Sequence, residues 1–462
     1  MSVKHYFIFL ILVSAFVRCS SPQTSEKEVT EEQKYQPVTA ETALQSYLNN
    51  GDTTYKWEVI ESYPIEGAAT AYDLKLTSQN WRDHIWTHQL TILVPEEVNQ
   101  EEAMLFITGG SIKDGEPNYK SHSDDLTVSL AFTAKKTKAI CSIIRQTPNQ
   151  PLYDGLVEDQ LISFTLHNFK NDGDFTWPLL FPMVKTAVTA MDAVQEFSKK
   201  ELSKDISEFV VSGASKRGWT TWLTGANDSR VKAIAPMVID VLNMPVSLQY
   251  QIEVWQEYSV QIEDYVKLEI PQTVQSKSGS DITKMVDPYS YKDKLTMPKM
   301  IFNGTNDEYW PVDAIKNYLD SIPGKNYLQY VPNAGHGLGD KKQAFQALSS
   351  FFATTIMDEP YPTCTWDLVE NNGKLQLKAT ATPELLQDVL LWSAVSEDRD
   401  FRDEKWSSES LHLKNIKDIE TQIDYPQSGF KAFYLDLKYK DPLGDEYVES
   451  TRMFVTDSLH VF

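Results

Sequence analysis

Phe209-Val210-Val211-Ser212-Gly213-Ala214-Ser215-Lys216-Arg217-Gly218-Trp219 begins as a short apolar run, passes through small residues and presents one serine before Thr220-Thr221-Trp222-Leu223. A buried strand that turns sharply into a helix has this texture, with Ser215 at the corner. A serine at such a corner is pushed out above the sheet, where its hydroxyl can serve as a nucleophile. An ordinary strand-to-helix turn would also use Gly and Ser, because they are small. The flanking sequence has to separate the two readings.

Upstream, Leu180, Val184, Ala187, Val188, Met191, Val194 and Phe197 recur at spacings of three and four and predict one long amphipathic helix. Earlier still, Ala103–Ser111 and Ala139–Ile144 read as buried strands, the first ending in Gly109-Gly110. Downstream, Val231–Asp240, Pro298–Gly304 and Tyr327–Pro332 are further apolar strands, the last taken as the end of the sheet. Helices are expected over 126–136, 314–321 and 341–354. Strand and helix thus alternate, which implies an α/β fold with a doubly wound, mostly parallel sheet covered on both faces. An antiparallel meander over residues 55–95 precedes it. Two stretches, near 146–177 and 245–290, interrupt the alternation and read as cap insertions. After Glu359-Pro360-Tyr361-Pro362 the texture changes to short alternating runs, expected to form an immunoglobulin-like β-sandwich over 359–462 behind an α/β domain over 39–358.

The chain has 462 residues and a formal net charge of −22. Hydrophobic residues make up 41%, enough to bury a sizeable core. The negative charge is spread along the sequence and argues against nucleic acid, whose phosphates it would repel. Residues 1–19 read as an export signal: Lys4 opens it, and Tyr6 to Val17 is apolar apart from Ser14. No later segment has about 18 consecutive apolar residues, the length a membrane helix needs. Cys19, followed by Ser20-Ser21-Pro22, resembles the lipidated cysteine of a bacterial lipoprotein signal. Arg18 departs from the small residue usual before it, so lipidation and simple cleavage both stay open. Residues 20–38 have little to bury and read as a flexible tether. The expected location is the bacterial periplasm or outer surface, lipid-anchored if Cys19 is modified. Cys141, inside an apolar run, reads as a buried thiol rather than half of a disulfide.

An alcohol needs a base within hydrogen-bond reach, and the base needs an orienting acid. In a doubly wound sheet these groups belong just past strand ends. Asp307 lies in Asn303-Gly304-Thr305-Asn306-Asp307-Glu308 beyond one buried strand, and His336 lies in Asn333-Ala334-Gly335-His336-Gly337 beyond the next. The order Ser215, Asp307, His336 is the nucleophile–acid–base order of the α/β-hydrolase fold. Each residue alone is weak evidence, since a loop His is usually solvated and a loop Asp is usually a cap. His122 and His167 are the other contenders, and neither directly follows a core strand. An oxyanion needs two preorganised donors; the Lys216 backbone N–H and the loop at Gly110 and Ser111 are the candidates. The side chains of Lys216 and Arg217 could steady that oxyanion or bind an acidic group, or simply face the surface. Tyr309 and Trp310, beside Asp307, are placed to touch a substrate. Tyr250, Trp255, Tyr258 and Tyr265 read as cap core or as cleft lining. His84 and His88 fall on a strand and are expected half-exposed, not metal-bound. Asp172 and Asp174 read as a solvated turn rather than a calcium site. The chemistry calls for no metal and no organic cofactor.

The run Gly213–Leu223, with Asp240-Val241-Leu242-Asn243-Met244, Asn303–Asp307 and Asn333–His336, resembles the PhoPQ-activated pathogenicity-related protein family. The resemblance spans about residues 40–460, including Trp392 and Asp400-Phe401-Arg402. It implies an exported α/β-hydrolase-like protein in the neighbourhood of prolyl oligopeptidases and carbohydrate esterases. One departure matters. The usual elbow is G-x-S-x-G, whereas here Arg217 takes the last position and Gly218 follows. A bulky residue there demands local adjustment. The same spacing resembles the glucuronoyl esterase elbow, which favours a bulky ester or sugar-linked substrate and leaves a peptidase open. In that neighbourhood the acid also comes from the preceding strand, which makes Asp240 the alternative to Asp307. The expectation is an exported serine hydrolase that cleaves an ester or peptide bond in a small molecule, glycan ester or peptide. The competing expectation is a non-catalytic binding or signalling protein on the same scaffold.

Overall fold

The computed structural model describes residues 1–2, 37–371 and 373–462; the export signal, Cys19 and the tether up to residue 36 lie outside them. A short helix α1 (Ala43–Leu48) leads into the antiparallel meander β1 (Lys56–Ile65), β2 (Ala69–Trp81) and β3 (His84–Pro95). Next come β4 (Glu102–Ile107), the small hairpin β5 (Ile112–Lys113) and β6 (Glu116–Pro117), α2 (Asp125–Thr137) and β7 (Ile140–Ile144). Helices α3 (Glu158–Asp172) and α4 (Leu180–Phe197) precede β8 (Glu208–Ala214), α5 (Lys216–Asn227) and β9 (Val231–Met237). The cap follows as α6 (Met244–Trp255), α7 (Glu263–Lys267) and α8 (Lys277–Val286), and the sheet resumes with β10 (Lys299–Gly304), β11 (Asn326–Val331) and the covering helix α9 (Lys342–Ile356).

The apolar runs become parallel strands because both of their faces are buried. In β7, Ile140 and Ile144 enter the core cluster that holds α4 and α5, while Cys141 and Ile143 enter the one that holds α2 and α9. The strand order is β1-β2-β3-β7-β4-β8-β9-β10-β11, parallel from β7 through β11. From β4 the chain steps outward to β7, then returns to place β8 on β4's other side. That reversal opens a crevice beyond the carboxyl ends of β4 and β8, where doubly wound folds hold their ligands. This is the α/β-hydrolase fold, and Ser215 stands at its switch point.

Three local readings change. The helix expected over 314–321 is two 3₁₀ turns, Ala314–Asn317 and Leu319–Ser321. Tyr318 leaves helical geometry (φ −145°, ψ −25°), and its hydroxyl donates to buried Asp240 at 2.6 Å. His88 is fully buried, bonded to Ser78 Oγ and Arg145 O at 2.9 Å each, because β3 is an interior strand covered by α4. Burial pushes its pKa down to about 4. Finally, β11 is not the end of the sheet.

The C-terminal strands are β12 (Cys364–Asn371), β13 (Lys374–Ala381), β14 (Leu386–Ser396), β15 (Ser407–Ser410), β16 (Asp418–Ile423), β17 (Phe430–Lys440), β18 (Glu446–Ser450) and β19 (Phe454–Thr456). β18 pairs antiparallel with β11 through Leu328 and Ser450 and carries the sheet on into β17, β14 and β15. β12, β13 and β16 form a separate three-stranded sheet. Alternate residues of β13 (Leu375, Leu377) and β17 (Phe433, Leu435, Leu437) share one apolar cluster with Phe351 and Phe352 of α9. Residues 38–462 form one compact unit. Cys141 and Cys364 are buried free thiols. Among the described residues no helix is long and apolar enough to cross a membrane.

Candidate active site

The elbow is built by the residues around Ser215. Ser215 has φ 58° and ψ −128°, a conformation that L-residues rarely adopt. Such strain costs about 1–3 kcal/mol and persists only where the surroundings impose it. Here the Ser215 N–H donates to Met237 O at 2.8 Å, and its carbonyl accepts the Trp219 N–H at 2.9 Å, starting α5. The close approach of helix to sheet falls on Gly218, where a Cβ would stand 2.6 Å from Met237 O. Arg217 therefore fits at the position before it.

His336 Nε2 lies 2.8 Å from Ser215 Oγ, and His336 Nδ1 lies 2.9 and 3.0 Å from the two Asp307 oxygens. Asp307 is 6% exposed and the His336 side chain 19%. The two loops cross closely: a Cβ on Gly304 would stand 2.3 Å from Ala334 O. Neighbouring groups fix both side chains. The Tyr309 N–H donates to Asp307 Oδ1 at 2.9 Å, and the Tyr309 ring stacks on His336 at 4.0 Å between centroids. The His336 N–H donates to Glu308 Oε2 at 2.9 Å. Asp240 bonds Tyr318, while both His336 nitrogens face Ser215 and Asp307. Burial, reinforced by the nearby charge of Asp307, pushes Asp240 up to about 8.

The basic pair at the elbow is committed within the protein. Arg217 forms a two-pronged pair with Glu158, each contact 2.7 Å, and its Nε donates to Thr147 O at 2.5 Å. Lys216 Nζ lies 3.0 Å from Glu158 and 3.1 Å from Asp159. The substrate contact expected of the Arg217 guanidinium is thus replaced by a brace between the elbow and α3. Burial alone would raise Glu158, but its bonds to Arg217 and the charge of Lys216 bring it down to about 2. The Lys216 N–H opens α5, so it has no acceptor inside the helix and faces outward at the positive helix end. Gly110 and Ser111 follow β4, the neighbour of β8 in the sheet, and Gly109 O accepts the Gln146 N–H at 3.2 Å. Tyr309 and Trp310 border an apolar pocket that Ser215 and Lys216 also line. Among the described residues no cluster of His, Cys, Asp or Glu is arranged to hold a metal.

One element escaped the sequence reading. The segment 399–406, between β14 and β15, straps the loops that carry Asp307 and His336. Asn306 Nδ2 donates to the carbonyls of Phe401 and Arg402 at 3.2 Å each and of Glu404 at 2.7 Å. Asn333 exchanges two bonds with Trp406, accepting its N–H at 2.8 Å and donating to its carbonyl at 3.1 Å. Thr305 joins the loops, its hydroxyl donating to Asn306 Oδ1 and accepting the Asn333 N–H, both at 2.8 Å. The strap also grips the cap: Arg399 bonds the Tyr250 hydroxyl, and the Arg402 guanidinium sits 4.1 Å over the Trp255 ring. The only sequence trace of this is the recurrence of Asn306, Asn333 and Asp400-Phe401-Arg402 in the motifs already quoted.

The chain is similar to solved structures that include acetyl xylan esterase 1 from a Thermoanaerobacterium species, 16% identical with a TM-score of 0.49 over 68% of this chain and 92% of that one, and a glucuronoyl esterase from Solibacter usitatus, 10% identical with a TM-score of 0.41 over 68% and 91%. The autocrine proliferation repressor protein A of Dictyostelium discoideum is 31% identical in an alignment 444 residues long, with 88% of this chain and 88% of that one covered. The family model of the PhoPQ-activated pathogenicity-related protein matches residues 44–402, from α1 into the strap. With a match of that extent and a relative aligned along nearly its whole length, the chain belongs to the PhoPQ-activated pathogenicity-related protein family.

Proposed function

We propose that the protein is an exported serine hydrolase that cleaves an ester or peptide bond through an acyl-enzyme. One observation carries the reading: the continuous relay from Ser215 Oγ through His336 to the buried Asp307, with every step between 2.8 and 3.0 Å. In the mechanism, His336 Nε2 takes the Ser215 proton as Oγ attacks the substrate carbonyl carbon. Asp307 holds the Nδ1–H and stabilises the imidazolium that forms. The Lys216 N–H, with a donor from the Gly110–Ser111 loop, receives the negative oxygen of the tetrahedral intermediate. His336 then protonates the leaving group, whose bond to the acyl carbon breaks. Water, deprotonated by His336, releases the acid and restores Ser215.

The test is labelling with a fluorophosphonate probe. Wild type is expected to label at one site and Ser215→Ala not at all; equal labelling of the two, or none in wild type, removes Ser215 as nucleophile. A second reading has its own support, since the Dictyostelium relative is named as a repressor of proliferation. A non-catalytic signalling protein on this scaffold predicts that Ser215→Ala keeps full biological effect. The export part of the proposal rests on residues 1–19. It predicts that the full chain fractionates outside the cytoplasm and that Cys19→Ala moves it from the membrane to the soluble fraction if lipid holds it there.

A further inference from the structure

Beside Ser215, between α5 and the cap, lies a pocket of about 80 Å³. Trp219 of α5, Ile239, Met244 and Leu248 of α6, Ile282 of α8 and Trp310 wall it. Most polar groups on this wall are bonded to other parts of the protein, the exception being the buried Trp310 Nε1–H, which has no partner. Trp219 Nε1 donates to Val286 O at 2.5 Å, the Tyr265 hydroxyl donates to Asp159 at 2.9 Å, and Lys216 is paired with Glu158 and Asp159. A group entering the pocket meets hydrocarbon, and the lysine on its wall is already neutralised.

We propose that this pocket receives the acyl part of the substrate and that the acyl group is short, uncharged and apolar. The proposal rests on the serine-hydrolase reading. Three observations argue for it. The first is side. His336 must hand its proton to the leaving group, yet His336 is not on this wall; it borders a separate, wider groove of about 850 Å³ with Thr108, Leu126 and Phe345. The acyl carbon bonded to Ser215 Oγ therefore turns its own substituent into the pocket and its leaving group towards the histidine. The second is size. A dry apolar cavity of about 150 Å³ holds a benzene ring, so a pocket about half as large takes roughly two to four carbons. The third is polarity. A carboxylate or a ring of hydroxyls buried here would find at most the single Trp310 Nε1–H to pair with and would leave its other polar atoms unpartnered, which is costly. The acidic or bulky sugar-linked acyl group that the basic elbow suggested does not suit this pocket.

The test uses the folded chain with p-nitrophenyl acetate, butyrate and octanoate and a methyl glucuronate ester, each scored by kcat/KM, alongside fluorophosphonate labelling. Wild type is expected to prefer butyrate over octanoate at least tenfold and to leave the glucuronate untouched. Ile282→Ala and the half-buried Leu248→Ala widen the pocket and are expected to narrow the butyrate-to-octanoate ratio at least fivefold. Octanoate as the better substrate of wild type, a ratio unmoved by both variants, or preferred cleavage of the glucuronate would overturn the pocket assignment. Absence of labelling at Ser215 would instead overturn the hydrolase reading beneath it, and the pocket assignment with it.

Discussion

Replacing Asn306 with alanine should slow Ser215 without unfolding the protein. The Asn306 amide nitrogen has two hydrogens and faces three carbonyl oxygens of the strap, at 2.7, 3.2 and 3.2 Å. The Asn306 Oδ1 also accepts the Thr305 hydroxyl, so about three bonds are lost; at roughly 0.5–1.5 kcal/mol net per hydrogen bond the fold is destabilised by about 1.5–4.5 kcal/mol. The effect on reactivity is larger, because Asp307 is the next residue and must keep both oxygens near 3 Å from His336 Nδ1. A misplacement of about 1 Å costs up to about 100-fold in rate, so the expected loss is about 10- to 100-fold. The assay is the time course of fluorophosphonate labelling. A folding defect lowers the fraction of chains that label, whereas lost positioning lowers the rate constant at full final labelling. Asn333→Gly provides an independent arm: glycine keeps the left-handed backbone (φ 54° in Asn333) but removes both bonds to Trp406. Rate constants within twofold of wild type in both variants, at full labelling, would refute the argument that the strap positions the relay.

Other outcomes follow from the same geometry. Asp240→Asn should stabilise the protein increasingly as pH rises: the folded state holds a proton on Asp240 up to about 8 while the unfolded chain loses it near the ordinary aspartate value of 3.8, so wild-type stability falls between those values. Urea unfolding at pH 5 and pH 8 checks this, and an equal difference at both pH values would contradict it. Glu158→Gln should cost about 1–3 kcal/mol, less than a fully buried pair because the Glu158 side chain is 37% exposed. Freed of that partner, Lys216 and Arg217 should raise the relative rate on anionic acyl esters. Gly218→Ala places a methyl against Met237 O and should destabilise by about 1–3 kcal/mol, while also slowing labelling.

Much of the fold was legible because its signals are local. Parallel strands such as Ile140–Ile144 announce themselves as apolar runs, and α4 as a stripe at helical spacing. The meeting of Ser215, Asp307 and His336 could be anticipated because each follows a core strand in turn. What the sequence hid is pairing at a distance. Nothing in Lys216-Arg217 says that Glu158-Asp159 will neutralise them, since a charge does not reveal its partner. Asn306 and Asn333 bond backbone groups of residues 401–406, and a carbonyl or N–H is common to every residue, so no pattern marks it. His88 looked half-exposed because period-two alternation assumes one wet face, and α4 covers that face. The seam between β11 and β18 is a single register pair, Leu328 with Ser450, too small to leave a periodicity.

That seam and the strap set an order of events. Chains emerge from the ribosome N-terminus first, and here the loops bearing Asp307 and His336 are made well before residues 399–406 and 446–450 that brace them. Until those arrive, β11 is an open sheet edge, able to pair with another chain, and the acid and histidine loops lack their outer support. Completion of the C-terminal strands would thus act as a maturation step: residues 446–450 cap an aggregation-prone edge, and residues 399–406 brace the loops of Asp307 and His336. A chain that ends after α9 should be both sticky and slow, and a complete one acquires solubility and reactivity together.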